Sequence, residues 1–100
     1  TGVAFDEKQV GSATYDRLTD KISYALSDTV DGYFHGTGDV FASALLGAYL
    51  NGLTLAESAR IAVDYTHGCI ERTKEAETDL RYGVDFEHGI PDLLRQTGII

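Results

Sequence analysis

The spacing of apolar and polar positions changes several times along the chain, and each change predicts an element. Residues 1–5 are short, β-branched and aromatic, and the polar run Asp6-Glu7-Lys8 ends them, which predicts a strand followed by a turn. Residues 10–15 and 21–26 are strand-like, with the polar connection Asp16-Arg17-Leu18-Thr19-Asp20 between them. In the second of these, Ile22, Tyr24 and Leu26 alternate with Ser23, Ala25 and Ser27, the signature of an antiparallel hairpin that buries one face.

Residues 27–33 hold Asp28, Thr29, Asp31 and Gly32, a polar turn-forming stretch. From Val40 to Leu50 there is no charge at all, so a helix here is expected to be covered over most of its circumference, with Leu45 well inside. Gly52 stands where a left-handed C-terminal cap belongs. Thr54-Leu55-Ala56-Glu57 has the spacing of a capping box and predicts the start of a second helix. On that helix Leu55, Ala59, Ala62, Val63, Thr66, Ile70 and Thr73 fall towards one face. Arg60, Asp64, His67, Glu71 and Lys74 fall on the other, the pattern of a solvated stripe. A short last helix is expected from Asp85 to about Gln96, kinked by Gly89 and Pro91. The pattern is thus α/β, a sheet section with a β-hairpin flanked by α-helices, in one domain spanning residues 1–100.

Composition narrows the function classes. A hydrophobic fraction of 43% with 24% charged residues is that of a globular chain. Eight Lys plus Arg against sixteen Asp plus Glu give a net charge of −8, which repels a polyanion and argues against nucleic acid as a partner. The apolar run 40–50 is about half of what a bilayer span needs, which argues against membrane insertion. A single cysteine, Cys69, cannot close an internal disulfide and has no zinc-ligand spacing around it. It reads as a small buried helix residue, and a cytoplasmic location fits. His67 and His88 have no partner at metal-ligand spacing, so no metal site is expected. The chain opens at Thr1-Gly2-Val3 without methionine and runs straight into a strand, and so reads as a piece of something longer.

The segment with chemical content is Gly36-Thr37-Gly38-Asp39, directly ahead of the uncharged helix. Two glycines let the backbone take conformations closed to other residues and approach a ligand without Cβ interference. The first helical N–H groups lack internal partners, so the turn is suited to a phosphate or to the charge on a phosphoryl group in flight. Asp39 would repel such a ligand if anion binding were its only task. As a general base it could instead take the proton of a substrate hydroxyl attacking a γ-phosphorus. The competing account is that Asp39 is a helix N-terminal residue favoured by the dipole and the glycines only make a turn. Composition and spacing leave both accounts open.

The longer string from Phe34-His35-Gly36-Thr37-Gly38-Asp39 through Val40-Phe41-Ala42-Ser43-Ala44-Leu45-Leu46-Gly47-Ala48 resembles the C-terminal signature of ribokinase-like kinases, above all the pyridoxal kinase group. The likeness runs on through Leu55-Ala56-Glu57-Ser58-Ala59 and Arg81-Tyr82-Gly83-Val84-Asp85-Phe86-Glu87, covering nearly the whole chain. It implies a C-terminal, nucleotide-binding part of such a kinase whose N-terminal part, with most of the acceptor pocket, lies elsewhere. It further implies Gly36, Thr37 and Gly38 as the anion hole and Asp39 as the catalytic base in contact with the acceptor. ATP with Mg²⁺ is the implied donor, and Thr1, Gly2, Tyr24, Ala25, Leu26 and Ser27 are implied nucleotide neighbours. The implied acceptor is the primary hydroxyl of pyridoxal or a related B6 vitamer, with hydroxymethylpyrimidine as the nearest competitor. Without neighbouring strands, an unpaired sheet edge and an uncovered helix face would favour a homo-oligomer, or a non-catalytic self-associating fold.

Overall fold

The computed structural model describes residues 8–28, 36–76 and 83–98. The expected strand at 1–5, with Thr1 and Gly2, lies outside them, as do His35, Arg81 and Tyr82. Among the described residues the elements are strands β1 (Gln9–Asp16) and β2 (Lys21–Asp28), helices α1 (Thr37–Leu50) and α2 (Leu55–Glu75), a 3₁₀ turn (Glu87–Gly89) and helix α3 (Ile90–Gln96).

β1 and β2 pair antiparallel with Gln9 opposite Asp28 and Asp16 opposite Lys21, so the expected hairpin forms in full. Its tip is closed by local polar bonds: the Leu18 N–H donates to Asp16 Oδ1 at 2.9 Å and the Tyr15 hydroxyl to Asp20 Oδ1 at 2.8 Å. Asp20 itself takes a positive φ of 55°, a conformation that Asp tolerates better than most residues.

The buried face of the hairpin is the one made of small residues. Opposed residues share a face, so Ser12 with Ala25 and Thr14 with Ser23 lie on one side, Ala13 with Tyr24 and Tyr15 with Ile22 on the other. Ala25 and Ser12 are buried against α2, whereas Tyr15, Ile22 and Tyr24 are exposed. The alternation therefore marks the two faces correctly, but the bulky one is not the one that α2 covers. A helix axis comes close to a sheet only where the contacting side chains are short.

α1 and α2 form the second contact. α1 ends in a Schellman turn: Gly52 adopts φ 92°, its N–H donates to the Tyr49 carbonyl at 3.1 Å and the Leu53 N–H to the Ala48 carbonyl at 3.4 Å. The chain then reverses into the capping box, where the Glu57 N–H donates to Thr54 Oγ1 and the Thr54 N–H to Glu57 Oε1, both at 3.1 Å. Those bonds also hold the Glu57 carboxyl below its ordinary pKa. Two sequence-local motifs thus make α1 and α2 an adjacent helical pair.

The core is built from small side chains. Ala25, Ala59 and Val63 are buried together, with Phe41 and Leu45 packed against them. On α2 the buried positions are Ser58, Ala59, Ala62, Val63, Cys69 and Thr73, close to the expected face. Ser58 and Thr73 are accommodated because their hydroxyls donate to the carbonyls one turn back, Thr54 and Cys69, at 2.8 and 2.7 Å. On α1 only Ala44 and Ala48 are buried, while Leu46, Tyr49 and Leu50 are exposed, Leu50 by 74%. The expectation of a helix covered over most of its circumference is not met among the described residues: α2 takes one narrow alanine stripe of α1. Leu45 lies at the edge of that stripe and is half-buried.

The last segment follows expectation closely. A 3₁₀ turn at 87–89 passes into α3 at Ile90, with Pro91 in the first turn where its missing N–H costs nothing.

Two stability measurements check this packing. Thr54→Ala should lower the unfolding free energy by about 1 kcal/mol, the usual worth of an N-cap. In urea unfolding, Leu45→Ala should cost about 2 kcal/mol, and Leu50→Ala should stay within about 0.5 kcal/mol. Equal losses at 45 and 50 would mean that α1 is packed on the other side as well.

Candidate functional site

The two long helices begin differently. α2 has both a side-chain cap and its reciprocal partner. At α1 the N-cap is Gly36, in the left-handed region at φ 85°, and no side chain caps the end. A residue with a Cβ is strained at that φ. The Gly36 carbonyl accepts from the Val40 N–H at 3.0 Å and closes the first helical turn. Thr37, Gly38 and Asp39 are then the first three residues of the helix, whose N–H groups have no acceptor inside it.

Space is the second feature of this turn. A Cβ added at Gly36 or at Gly38 would meet no heavy atom within 4 Å. Packing therefore does not demand glycine at 38; the missing side chain leaves the outer side of the turn open. Gly36, Gly38 and Asp39 are exposed and Thr37 is half-buried. The structure thus brings Gly36, Thr37, Gly38 and Asp39 into one turn that is open among the described residues, with N–H groups that none of these accepts from, a carboxylate in the first helical turn and the positive end of a fourteen-residue helix.

The other expected nucleotide neighbours are dispersed. On β2, Tyr24 is exposed, Ala25 is in the core against Ala59 and Val63, and Leu26 and Ser27 are half-buried. Ser27 Oγ donates to the Val10 carbonyl at 3.5 Å and the Leu26 carbonyl accepts from Arg60 Nη2, so part of this stretch is engaged in holding the hairpin. Between hairpin and α2 lies an open groove of about 480 Å³ whose walls include Tyr24, Ala25, Ala59 and Arg60.

A second polar constellation lies at the far end of α2. Three α2 side chains grip the returning chain at 85–86: the Tyr65 hydroxyl donates to the Phe86 carbonyl, Arg72 Nη2 to the Asp85 carbonyl at 3.2 Å, and the Asp85 N–H to Thr73 Oγ1 at 2.8 Å. The Asp85 carboxylate holds His88 Nδ1 at 2.8 Å, and that bond keeps its pKa below the ordinary value. Burial pushes the Tyr65 hydroxyl up to about 12 and raises the Cys69 thiol. No spacing rule finds this clamp, because its partners are 12 to 21 residues apart. Cys69, fully buried beneath it, is the small buried helix residue the sequence suggested. His67 and His88 each pair with a carboxylate, Glu71 at 3.0 Å and Asp85 at 2.8 Å, partners that lie a helical turn or less away. Among the described residues no group of three or more His, Cys, Asp or Glu could hold a metal ion, and no helix is long and apolar enough to cross a membrane.

No family model matches the chain, and no curated protein is significantly similar to it. Solved structures are. A pyridoxal kinase from Lactobacillus plantarum superposes with a TM-score of 0.82 at 25% identity, over 92% of this chain and 33% of its own. A protein described as a phosphomethylpyrimidine kinase from Bacteroides thetaiotaomicron superposes with a TM-score of 0.78 at 23% identity, over 87% of this chain and 29% of its own. This chain therefore spans about a third of the length of these structures. The second likeness, at its lower identity, bears on fold alone.

The thiol provides a check on the clamp. Cys69 should resist alkylation at neutral pH in the folded protein, since burial both hides it and disfavours its thiolate, and should react on unfolding. Rapid iodoacetamide labelling under native conditions, read by mass spectrometry, would contradict the burial of this end of α2.

Proposed function

We propose, for a chain that takes the fold of part of a ribokinase-like kinase, that it is the C-terminal, nucleotide-binding part of an ATP-dependent kinase that phosphorylates the primary hydroxyl of pyridoxal or a related B6 vitamer. The observation that carries this reading is the α1 turn, which is uncapped, open and glycine-lined, with Asp39 in the first turn. The neighbour at 25% identity, a pyridoxal kinase, supports the choice of acceptor.

In this reading the N–H groups of Thr37, Gly38 and Asp39 receive the charge that spreads over the equatorial oxygens of the γ-phosphoryl group in transfer. The acceptor oxygen attacks the γ-phosphorus, its bond to the β–γ bridging oxygen breaks, and ADP leaves. Asp39 takes the proton from the attacking hydroxyl. Mg²⁺ carried on the nucleotide would offset the phosphate charge that Asp39 otherwise repels. The vitamer pocket is assigned to the remaining two-thirds of a full-length kinase.

Two other readings stand beside it. A hydroxymethylpyrimidine acceptor is the alternative within the same fold, which a protein described as a phosphomethylpyrimidine kinase also takes. A self-associating, non-catalytic fold is supported by the exposed apolar side chains Ile22, Tyr24, Leu46 and Leu50. By itself the 100-residue chain should bind nucleotide weakly at best and show no vitamer kinase activity.

In the complete kinase, Asp39→Asn should lower kcat by orders of magnitude with ATP affinity unchanged or slightly improved. Asparagine keeps the size of the side chain but cannot take the proton and does not repel the phosphates. Gly38→Val should instead obstruct the open side of the turn and weaken ATP binding while the fold is kept, since among the described residues no heavy atom lies within 4 Å of a Cβ there. Near-normal turnover in Asp39→Asn would reduce Asp39 to a helix-dipole residue. Parallel assays with pyridoxal and hydroxymethylpyrimidine separate the two acceptors.

A further inference from the structure

A small cleft of about 70 Å³ opens between α2 and α3, walled by Tyr65, Gly68, Arg72, Gly89, Leu93 and Gln96. Arg72 is its unusual member. Nη2 of Arg72 donates to the Asp85 carbonyl and approaches Cys69 Sγ at 3.4 Å, but its Nε is buried with no acceptor. Nor does it form an ion pair with another of the described residues. The ion pairs of the described residues join Arg60 to Asp64, His67 to Glu71, His88 to Asp85 and Arg95 to Asp92. A buried N–H of a guanidinium left without an acceptor is costly, and such groups are normally hydrogen-bonded.

Two glycines make the room around it. Gly68 stands in the middle of α2, where glycine costs about 1 kcal/mol relative to alanine. A Cβ there would lie 3.4 Å from Arg72 Nη1. At Gly89 a Cβ would lie 2.5 Å from Arg72 Nη2 and 2.9 Å from Tyr65 Cε1. Both glycines wall the cleft.

We propose that this cleft binds the carboxylate group of a small organic acid on Arg72. Its volume admits a group of a few heavy atoms. A planar carboxylate matches the guanidinium fork, Gln96 can add an amide donor, and Leu93 offers an apolar wall to a short alkyl group. Charge selects against a dianion. Asp64 and Asp92 also line the cleft. Each is paired with its own arginine, at 2.8 and 3.4 Å, so one negative charge is tolerated where a phosphate's second would be repelled. This site is independent of the phosphoryl-transfer turn and stands or falls separately from it.

The test is a titration of the 100-residue chain with sodium acetate at constant ionic strength, read on the ¹⁵N side-chain resonance of Arg72, with acetamide, chloride and phosphate as comparators. Acetate should produce a saturable shift, and acetamide, which has the same shape without the charge, should produce none. Gly68→Val, which fills the cleft without removing Arg72, should abolish the acetate shift while the backbone spectrum stays folded. The proposal is overturned by an unsaturable acetate response, by an equal response to acetamide or chloride, by tighter binding of phosphate than of acetate, or by an unchanged shift in folded Gly68→Val. If the variant does not fold, the comparators in the unmutated protein decide alone.

Discussion

Everything described here depends on α2 presenting small side chains on more than one side. Ser58, Ala59, Ala62 and Val63 allow the hairpin and α1 to approach the same helix, and Cys69 and Thr73 do the same for the returning chain at 83–89. Short side chains bring backbones close, and closeness replaces bulk as the source of contact. The largest fully buried side chains are accordingly Thr73, Cys69 and Ser58, and no aromatic ring is among them. The structure is held by many shallow contacts along one axis rather than by a deep core.

That economy has a consequence for the surface. With the small faces turned inward, the bulky side chains of the hairpin and of α1 point outward: Tyr15, Ile22 and Tyr24 on one element, Leu46, Tyr49 and Leu50 on the other. Solvent-facing rows of this kind are what remains when a section of a larger α/β layer structure is considered alone, and the coverage of about a third of each structural neighbour fits that account. Yet the α1 turn is built from described residues. Its geometry comes from Gly36, from the helix that follows and from the packing of Ala44 and Ala48 on α2, all within these residues.

The ends of the two helices illustrate how capping and function compete. At the start of α2, Thr54 and Glu57 engage each other's N–H groups. Where Gly36 starts α1 with no side-chain cap, N–H groups and a field remain for a ligand. The same logic in reverse applies to Arg72, whose side chain holds the Asp85 carbonyl yet keeps an unused, buried Nε.

Local chemistry was legible in the sequence because it acts over a few residues. The hairpin, the Gly52 cap, the Thr54–Glu57 box, the 3₁₀-to-α3 passage and the glycine-flanked start of α1 are all fixed by neighbours within about one turn, and each lies where its pattern placed it. Residue hydrophobicity separated the two faces of β2 and, apart from the exposed Leu55 and the buried Ser58, those of α2. It did not say which face of β2 the helix would choose, because that choice depends on how closely two backbones can approach and on what covers the other side. The same limit applies to α1, whose uncharged run implied burial all round while α2 takes only the Ala44 and Ala48 stripe. The clamp of Tyr65, Arg72 and Thr73 on residues 85–86, and the cleft beside it, were decided by tertiary structure alone. Their partners meet only after α2 has set the path of the returning chain, and no periodicity in the sequence records a contact between groups that become neighbours only on folding.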